Sequence, residues 1–320
     1  MAILGELAAV LLLPFFLAFL ILFGEITKKQ ERPKPKLPPG PRGLPVIGNL
    51  HLLGKHPHQT LYQLSKQYGP IMQLQLGRVP AVVISSAQMA EQVLKTHDLL
   101  FCSRPDMATG KRLSYNFSDV VLSPYNAAWR ELRKITMLNL LNPKMVEDPS
   151  FATMEYAMVE LVKNPRVMSK AQEETLRLHP MVPLLISRET MDHVKINEYD
   201  VFPKRRVYVN AWAVARDPDF WDQPDEFIPE RFVGSNIDFR GHNFEFLPFG
   251  AGRRICPGLS FGIMTVELAL ANLLYAFNWE LPNNMKKEEI NMEETSGITV
   301  HLKTNLQLQA TRHVPNVGVE

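Results

Sequence analysis

The sequence contains little cysteine and no excess of one charge, and each shortage excludes a class of protein. Its two cysteines, Cys102 and Cys256, lie 154 positions apart. That spacing excludes a disulfide framework and a paired Cys-x-x-Cys metal site, and it suits a reducing compartment. Lysine and arginine total 35 against 33 acidic residues, for a net charge of +2. Since nucleic-acid binding requires a basic face, nucleic acid is not an expected partner.

Basic residues are also missing from the first 24 positions, where the segment from Leu7 to Gly24 carries no charge at all. As a helix these 18 residues would span about 27 Å, close to the thickness of a bilayer core. A cleaved signal peptide is the alternative, but the segment lacks a basic start and a small-residue cleavage site. Basic residues follow it, at Lys28, Lys29, Arg32, Lys34 and Lys36. The pattern predicts a retained anchor in the lipid bilayer over residues 1–27, with the rest of the chain facing the cytosol.

Residues 28–48 combine these bases with six prolines, which forbid a helix and favour a stiff extended chain. They are interpreted as a basic, proline-rich hinge between the anchor and a folded domain, although composition alone describes any proline-rich linker. Residues 49–320 are long enough to bury one large core.

The folded part reads as mainly α with a small β-sheet region. Alternating apolar residues from Met72 to Leu76, then Gly77-Arg78 and AVVIS, predict a hairpin. Ser86 is expected to cap a helix that runs to Thr96, and Pro124 to open a helix that carries Trp129. The run LSFGIMTVELALANLLYAF is apolar on nearly every face, which predicts a buried helix.

A possible reactive centre lies just before that apolar helix, in Phe249-Gly-Ala-Gly252-Arg-Arg254-Ile-Cys256-Pro-Gly258. A cysteine at the amino end of a helix meets unpaired N–H groups and the positive end of the helix dipole, and both favour the thiolate that binds iron. The alternative is an inert buried cysteine in a glycine-rich turn.

This stretch matches FxxGxRxCxG, the haem-binding signature of the cytochromes P-450, and the chain resembles that family over nearly its whole length. The resemblance implies haem b (iron protoporphyrin IX) as cofactor, with Cys256 as the axial ligand of the iron. It also implies that Arg254 contacts a haem propionate, that Phe249 shields the sulfur and that Gly258 permits tight backbone.

Two further motifs occur in the family's order. Glu174-Thr-Leu-Arg177 matches ExxR, and its two charges are i, i+3 neighbours on a helix that can pair. Pro229-Glu-Arg231-Phe232 matches PERF, whose arginine joins that pair as a structural element. Alone, ExxR is a common surface pair.

Trp129 and Arg133 match the family's WxxxR helix, and Arg188 matches another arginine that contacts a propionate. Each of these matches is individually weak. The alternatives are solvated ion pairs for the two arginines and simple core packing for Trp129.

The chain lacks the AGTDT-like stretch whose acid and threonine relay protons to bound oxygen in the family. Thr153 lies beyond that position and is not expected to inherit the role, so no intact catalytic pair is predicted. Only 45 positions separate Trp129 from Glu174, too few for the helices that roof the family's substrate cavity. Apparent deletions near residues 146–150 and 170–174 therefore imply a cytochrome P-450 fold without several distal-side helices.

The hydrophobic anchor, the PPGP hinge, the WxxxR helix and the C-terminal third resemble the plant microsomal members of the family. This resemblance implies a monooxygenase in the endoplasmic reticulum membrane that inserts one oxygen atom from O2 into a small apolar secondary metabolite. Electrons would come from NADPH through a separate flavoprotein reductase. Arg130, Lys134 and Arg253 would offer it a basic face, or are simply solvated charges. The alternative is an impaired or inactive membrane-anchored fragment, from a shortened splice form or an incorrect gene model, that acts at most by binding haem or a partner.

Overall fold

A computed structural model describes residues 35–141, 171–295 and 297–312. The chain divides into two units, Met1–Lys36 and Leu37–Glu320, and the second is described below. The predicted anchor, the first apparent deletion and Thr153 lie outside the described residues. Within the described ranges, no helix is both long enough and apolar enough to cross a membrane.

Helices occupy more of the described chain than strands do, which confirms the predicted mainly α composition. The α-helices are α1 (Pro57–Tyr68), α2 (Ala87–Glu91), α3 (Asp98–Phe101), α4 (Ala108–Leu113), α5 (Ala127–Ile135), α6 (Ala171–Leu178), α7 (Ala211–Val214) and α8 (Leu259–Ala276). Single 3-10 turns lie at Leu50–Leu52, Pro229–Phe232, Gly252–Arg254, Pro282–Asn284 and Lys287–Glu289, and π turns at Gln92–Thr96 and Thr136–Leu140.

In the described part of the chain, three small sheets accompany the helices. The strands are β1 (Ile71–Leu76), β2 (Val79–Ile84), β3 (Arg188–Glu189), β4 (Val194–Ile196), β5 (Tyr199–Val201), β6 (Arg206–Val209), β7 (Phe277–Glu280) and β8 (Gln309–Arg312). The largest sheet has the order β1-β2-β6-β3, while β4 pairs with β5 and β7 pairs with β8.

The predicted hairpin is confirmed as β1 and β2, which pair antiparallel across the Gly77-Arg78 turn. Gly77 has a φ of 61°, a conformation that glycine adopts at little cost. Strand β2 also pairs in parallel with β6, far along the chain, so Val82 lies opposite Val207. Apolar residues of both strands join one buried core with α2 and the loop before Cys256.

The second half of the predicted hinge belongs to the folded unit. The N–H of Gln73 in β1 donates to the carbonyl of Pro39 at 2.8 Å. The Asn49 side-chain oxygen accepts from the N–H of Gln75 at 2.7 Å, which attaches the start of the domain to the edge of the sheet.

Helix α5 begins later than the sequence suggests. Its first residue is Ala127, and Asn126 rather than Pro124 opens it, because the Asn126 side chain accepts the N–H of Trp129 at 2.8 Å. Ser86 does cap α2, as predicted, by accepting from the N–H of Met89 at 3.4 Å, and the helix continues as a π turn to Thr96.

Helix α8 forms over the predicted apolar run, with Phe261, Ile263, Val266 and Leu270 buried. Val266 and Leu270 pack against α6, so the last long helix supports the one that carries Glu174 and Arg177. Cys256 lies in the loop directly before α8.

Candidate haem-binding site

The cysteine loop is the turn from Phe249 to Gly258 between the buried core and α8. The N–H of Cys256 donates to the carbonyl of Phe249 at 3.0 Å, which closes the turn. Gly252 has a φ of 69° inside it. Helix α8 begins at Leu259 with Gly258 as its N-cap, so Cys256 lies just before the helix rather than within it. Its sulfur forms no disulfide and is partly exposed.

Cys256 lines a cavity of about 290 Å³ whose wall is largely apolar. Phe249, Leu185 and Ile186 contribute to this wall, as do Ile263 and Val266 of α8. Among the described residues, the charged side chains on this wall are those of three arginines, Arg104, Arg133 and Arg254. The cavity thus combines a sulfur ligand, apolar surface and guanidinium groups.

Arg254 is the most constrained of the three arginines. Its Nε donates to the carbonyl of Cys102 at 2.7 Å and its Nη2 to the carbonyl of Ser123 at 2.6 Å. Its Nη1 is buried and has no hydrogen-bond partner among the described residues. Burial lowers the pKa of Arg254 to about 10, because a cation loses hydration there. The site therefore keeps one buried donor that an anion would satisfy.

Trp129 and Arg133 lie on α5 beside Arg254. The guanidinium of Arg254 stacks 3.8 Å from the Trp129 ring centre, and that of Arg133 lies 5.6 Å from it. Arg133 donates from Nη2 to the carbonyl of Ile255 at 2.6 Å, which joins α5 to the cysteine loop. Burial lowers the pKa of Arg133, whereas the nearby Cys256 acts to raise it. Trp129 does not line the cavity itself, but its ring packs against the guanidinium of Arg254, which does.

Arg104 is a site residue that the sequence interpretation missed. It follows Cys102-Ser103 and precedes Pro105, and no spacing rule connects it with Cys256. It is buried and donates to three carbonyls, those of Val121, Ile186 and Ser187, at 2.6 to 2.9 Å. Burial, and then the nearby positive charges of Arg188 and Arg254, lower its pKa well below the usual value. Such a concentration of buried positive charge favours an anion nearby.

Arg188 does not line this cavity. Its Nη1 pairs with Asp98 at 3.0 Å and its Nη2 donates to the carbonyl of Ala251 at 2.9 Å, so both terminal nitrogens have partners. Burial lowers its pKa and the Asp98 carboxylate acts to raise it. The structure therefore connects Arg188 to the backbone of the cysteine loop.

Phe249 lines the cavity and makes an edge-to-face contact with Phe239 at 6.1 Å between ring centres. Gly258 has an ordinary φ of −88°. A Cβ on Gly258 would meet Leu141 at 3.9 Å, a normal contact. The backbone of the described chain therefore places no conformational demand for glycine there, unlike at Gly252.

Glu174, Arg177 and Arg231 come together away from the cavity. Arg177 makes a two-point contact with Glu174, Nε to Oε2 and Nη2 to Oε1, each at 2.7 Å. Nε of Arg231 lies 3.3 Å from Oε1 of Glu174. Both Glu174 and Arg177 have no solvent exposure, and Arg177 also donates to the carbonyls of Ala215 and Pro224. The N–H of Ile228 completes the carboxylate's bonds at 3.0 Å.

The residues around the cavity fit an iron porphyrin. A cysteine sulfur is a suitable soft ligand for iron, and guanidinium groups bind the carboxylates of its propionates. The unpartnered Nη1 of Arg254 supplies a buried donor for such a carboxylate. The largely apolar wall matches the apolar faces of the macrocycle in chemical character.

Comparisons with known proteins agree with this fit. The family model described as Cytochrome P450 matches residues 38–149 and 173–308. The chain is 31% identical to Cytochrome P450 71B37 of Arabidopsis thaliana, over 96% of this chain and 99% of that protein. It is also 31% identical to the 4-hydroxyphenylacetaldehyde oxime monooxygenase of Sorghum bicolor, over 94% of each chain.

The chain has the fold of a solved zebrafish cytochrome P450, which is described as a structure with abiraterone. The two superpose with a TM-score of 0.69 at 18% sequence identity, and the match covers 81% of this chain and 100% of that chain. The chain therefore belongs to the cytochrome P450 family, whose members are haem-thiolate monooxygenases. The alignment with the Arabidopsis protein extends over 497 residues although this chain has 320, so the relative carries segments without a counterpart here.

Proposed function

We propose that this chain binds haem b through Cys256 and acts as a monooxygenase on a small apolar substrate. The observation that carries the proposal is the single cavity at which Cys256 meets three arginines and an apolar wall. Family membership supports the reaction class. When bound, the haem supplies the activation of O2, so that substrate, O2, NADPH and a proton give hydroxylated substrate, water and NADP+.

The protein's own residues bind and orient in this proposal. Cys256 supplies sulfur to the iron, and its backbone bond to Phe249 holds that sulfur in place. Arg254 and Arg133 bind the propionates, Trp129 stacks behind Arg254, and Phe249 limits the access of water to the sulfur. Gly258 opens α8 directly behind the ligand. Glu174, Arg177 and Arg231 stabilise the fold and touch no reacting atom.

Electrons would come from NADPH through a separate flavoprotein reductase. Arg130 and Arg253 are exposed on α5 and the cysteine loop, so they support a basic docking face near the sulfur. An anchor over residues 1–27, followed by the basic segment before Leu37, would keep the folded unit Leu37–Glu320 at the endoplasmic reticulum membrane. The apolar secondary metabolites of plants are the proposed substrate class.

A second candidate is a protein that binds haem but couples electron use poorly to product. The absent acid–threonine pair and the segments that only the relatives carry favour it. Without them, the pocket holds no side chain assigned to deliver protons, and water is poorly excluded. Such a protein would consume NADPH and release peroxide.

The test is the reduced, carbon-monoxide difference spectrum of the full chain in microsomes with haem supplied. A band typical of an iron-bound thiolate is the expected result, and its absence contradicts haem binding by this chain. Given that band, the ratio of product to NADPH consumed separates the two candidates. A ratio near one supports the coupled monooxygenase, whereas peroxide without product supports the uncoupled form.

A further inference from the structure

A closed ring of contacts joins Asp98 to the cysteine loop. Oδ1 of Asp98 accepts from Nη1 of Arg188 at 3.0 Å, and Oδ2 accepts from the backbone N–H of Arg253 at 3.0 Å. Arg188 in turn donates to the carbonyl of Ala251. The ring therefore holds the backbone on both sides of Gly252, an N–H on one side and a carbonyl on the other.

The fit at Gly252 shows how closely α3 and the π turn before it approach the loop. A Cβ on Gly252 would clash with the carbonyl oxygen of Leu94 and would lie 2.8 Å from Oδ1 of Asp98. Gly252 also has a φ of 69°, which a side chain would strain. The loop therefore packs directly against Asp98, with no room for a side chain at position 252.

Charge makes Asp98 hard to replace. It is buried, with a side-chain exposure of 9%, and Arg188 beside it is exposed by 5%. The Arg253 guanidinium lies 3.7 Å away on the outer side. Arg188 loses its acidic partner when Asp98 is neutralised, and a buried cation without a partner is strongly unfavourable. Asparagine has nearly the same shape but carries an NH2 group where Asp98 accepts a bond.

We propose that Asp98 is a positioning residue for the iron ligand: through Arg188 and the N–H of Arg253 it fixes the turn that presents Cys256. This rests on the proposed haem binding. Arg254 directly follows Arg253, and Cys256 comes two residues after Arg254. The ring therefore fixes the position of both the proposed propionate ligand, Arg254, and the sulfur of Cys256. The side chain touches no reacting atom.

Hydrogen exchange on the haem-free full chain tests the ring directly. In Asp98→Asn, we expect the amides of residues 249–256 to exchange about ten-fold faster or more, since a hydrogen bond to a charged group is lost. Asp106→Asn is the matched control, because Asp106 pairs with Lys111 at an exposed site. Unchanged exchange in Asp98→Asn overturns the proposal, as does equal acceleration in the control.

The second readout is spectroscopic. With haem bound, Asp98→Asn should convert at least about half of the thiolate-type carbon-monoxide band to the form without a thiolate, because the turn that presents Cys256 loses a charged hydrogen bond. Retention of the full thiolate band contradicts the positioning role. If the wild-type chain shows no such band, the proposed haem binding is contradicted. The hydrogen-exchange comparison still shows whether Asp98 holds the cysteine loop.

Arg188→Lys covers the case in which Asp98→Asn does not accumulate. Lysine keeps the charge beside Asp98 but cannot bond Asp98 and Ala251 in the same two-pronged way. We expect faster exchange at residues 249–256 and a partial loss of the thiolate band. Exchange and band equal to wild type would contradict the ring.

Discussion

Two groups of buried arginines in this protein differ in what surrounds them. Around Glu174, Arg177 has the carboxylate at two points, through Nε and Nη2, and backbone carbonyls at its remaining nitrogen, Nη1. Around the cavity, the hydrogen-bond partners of Arg104 and Arg254 among the described residues are all carbonyl oxygens, and Nη1 of Arg254 has none there. Both arginines of the first group have the Glu174 carboxylate within 3.3 Å, although Nε of Arg231 makes no hydrogen bond, so this group is complete in charge. The second group has no such carboxylate among the described residues that line the cavity and has room for an anion. A fully paired buried charge supports the fold, and a partly paired one prepares a binding site.

The largest expected effect comes from opening the complete group. Glu174→Ala leaves Arg177 buried and unpaired, which should lower the free energy of unfolding by about 3 to 5 kcal/mol. Urea denaturation followed by circular dichroism measures it. Glu91→Gln is the control, because Glu91 pairs with Lys95 at an exposed site and should cost no more than about 0.5 kcal/mol. Equal losses in the two variants would refute the contrast.

The next effect separates the two cysteines. Cys256→Ser should abolish the thiolate-type carbon-monoxide band completely, because the hydroxyl is not an equivalent ligand. Cys102 is fully buried and its Sγ contacts the carbonyl of Leu99 at 3.2 Å. Cys102→Ser should therefore keep the band in the protein that folds. Persistence of the band in Cys256→Ser would remove Cys256 from the iron.

Arg254 and Arg231 sharpen the comparison between the open and the complete group. Arg254→Gln should speed haem loss about ten-fold or more, since it removes a charge-assisted bond to the cofactor. Arg231→Gln should lower the free energy of unfolding instead and leave haem loss from folded protein unchanged. Transfer of haem to an acceptor globin measures the loss rate. Equal rates in the two variants would contradict the assignment of the open group.

The smallest effect is that of a free dicarboxylate on the haem-free chain. Succinate should bind the open arginines and raise the free energy of unfolding by about 0.4 kcal/mol when its concentration equals its dissociation constant. Thermal unfolding measures the change against sodium chloride of equal ionic strength. The increment should vanish in Arg254→Gln; if it survives there, succinate acts elsewhere.

The sequence predicted those parts of the site that have a local signal. The fixed spacing from Phe249 to Gly258 indicated the cysteine loop, and the i, i+3 spacing of Glu174 and Arg177 indicated their pairing. Alternation of apolar residues likewise predicted β1 and β2. In each case the partners are close in sequence or belong to one pattern.

The rest of the site depends on contacts between distant positions. Asp98 lies 155 positions before the N–H that it accepts, and Arg104 lies 82 before the carbonyl of Ile186. Contacts between residues so far apart in sequence cannot be predicted from composition or from the periodicity of apolar residues. The predicted start of α5 was wrong for a different reason. Both Pro124 and Asn126 are residues that can open a helix, and only the hydrogen bond from the N–H of Trp129 to the Asn126 side chain decides between them.

The parallel pairing of β2 with β6 affects how this chain folds as it is synthesised. The apolar strand Val79–Ile84 obtains its second neighbour only after Arg206–Val209 has been made. Contacts between residues so far apart in sequence form slowly, because closing a long loop costs entropy before the strand pairing can stabilise the fold. Until then, the nascent chain leaves one edge of its first hairpin unpaired, a surface prone to aggregation. Chaperone supply during translation should therefore limit the yield of folded protein.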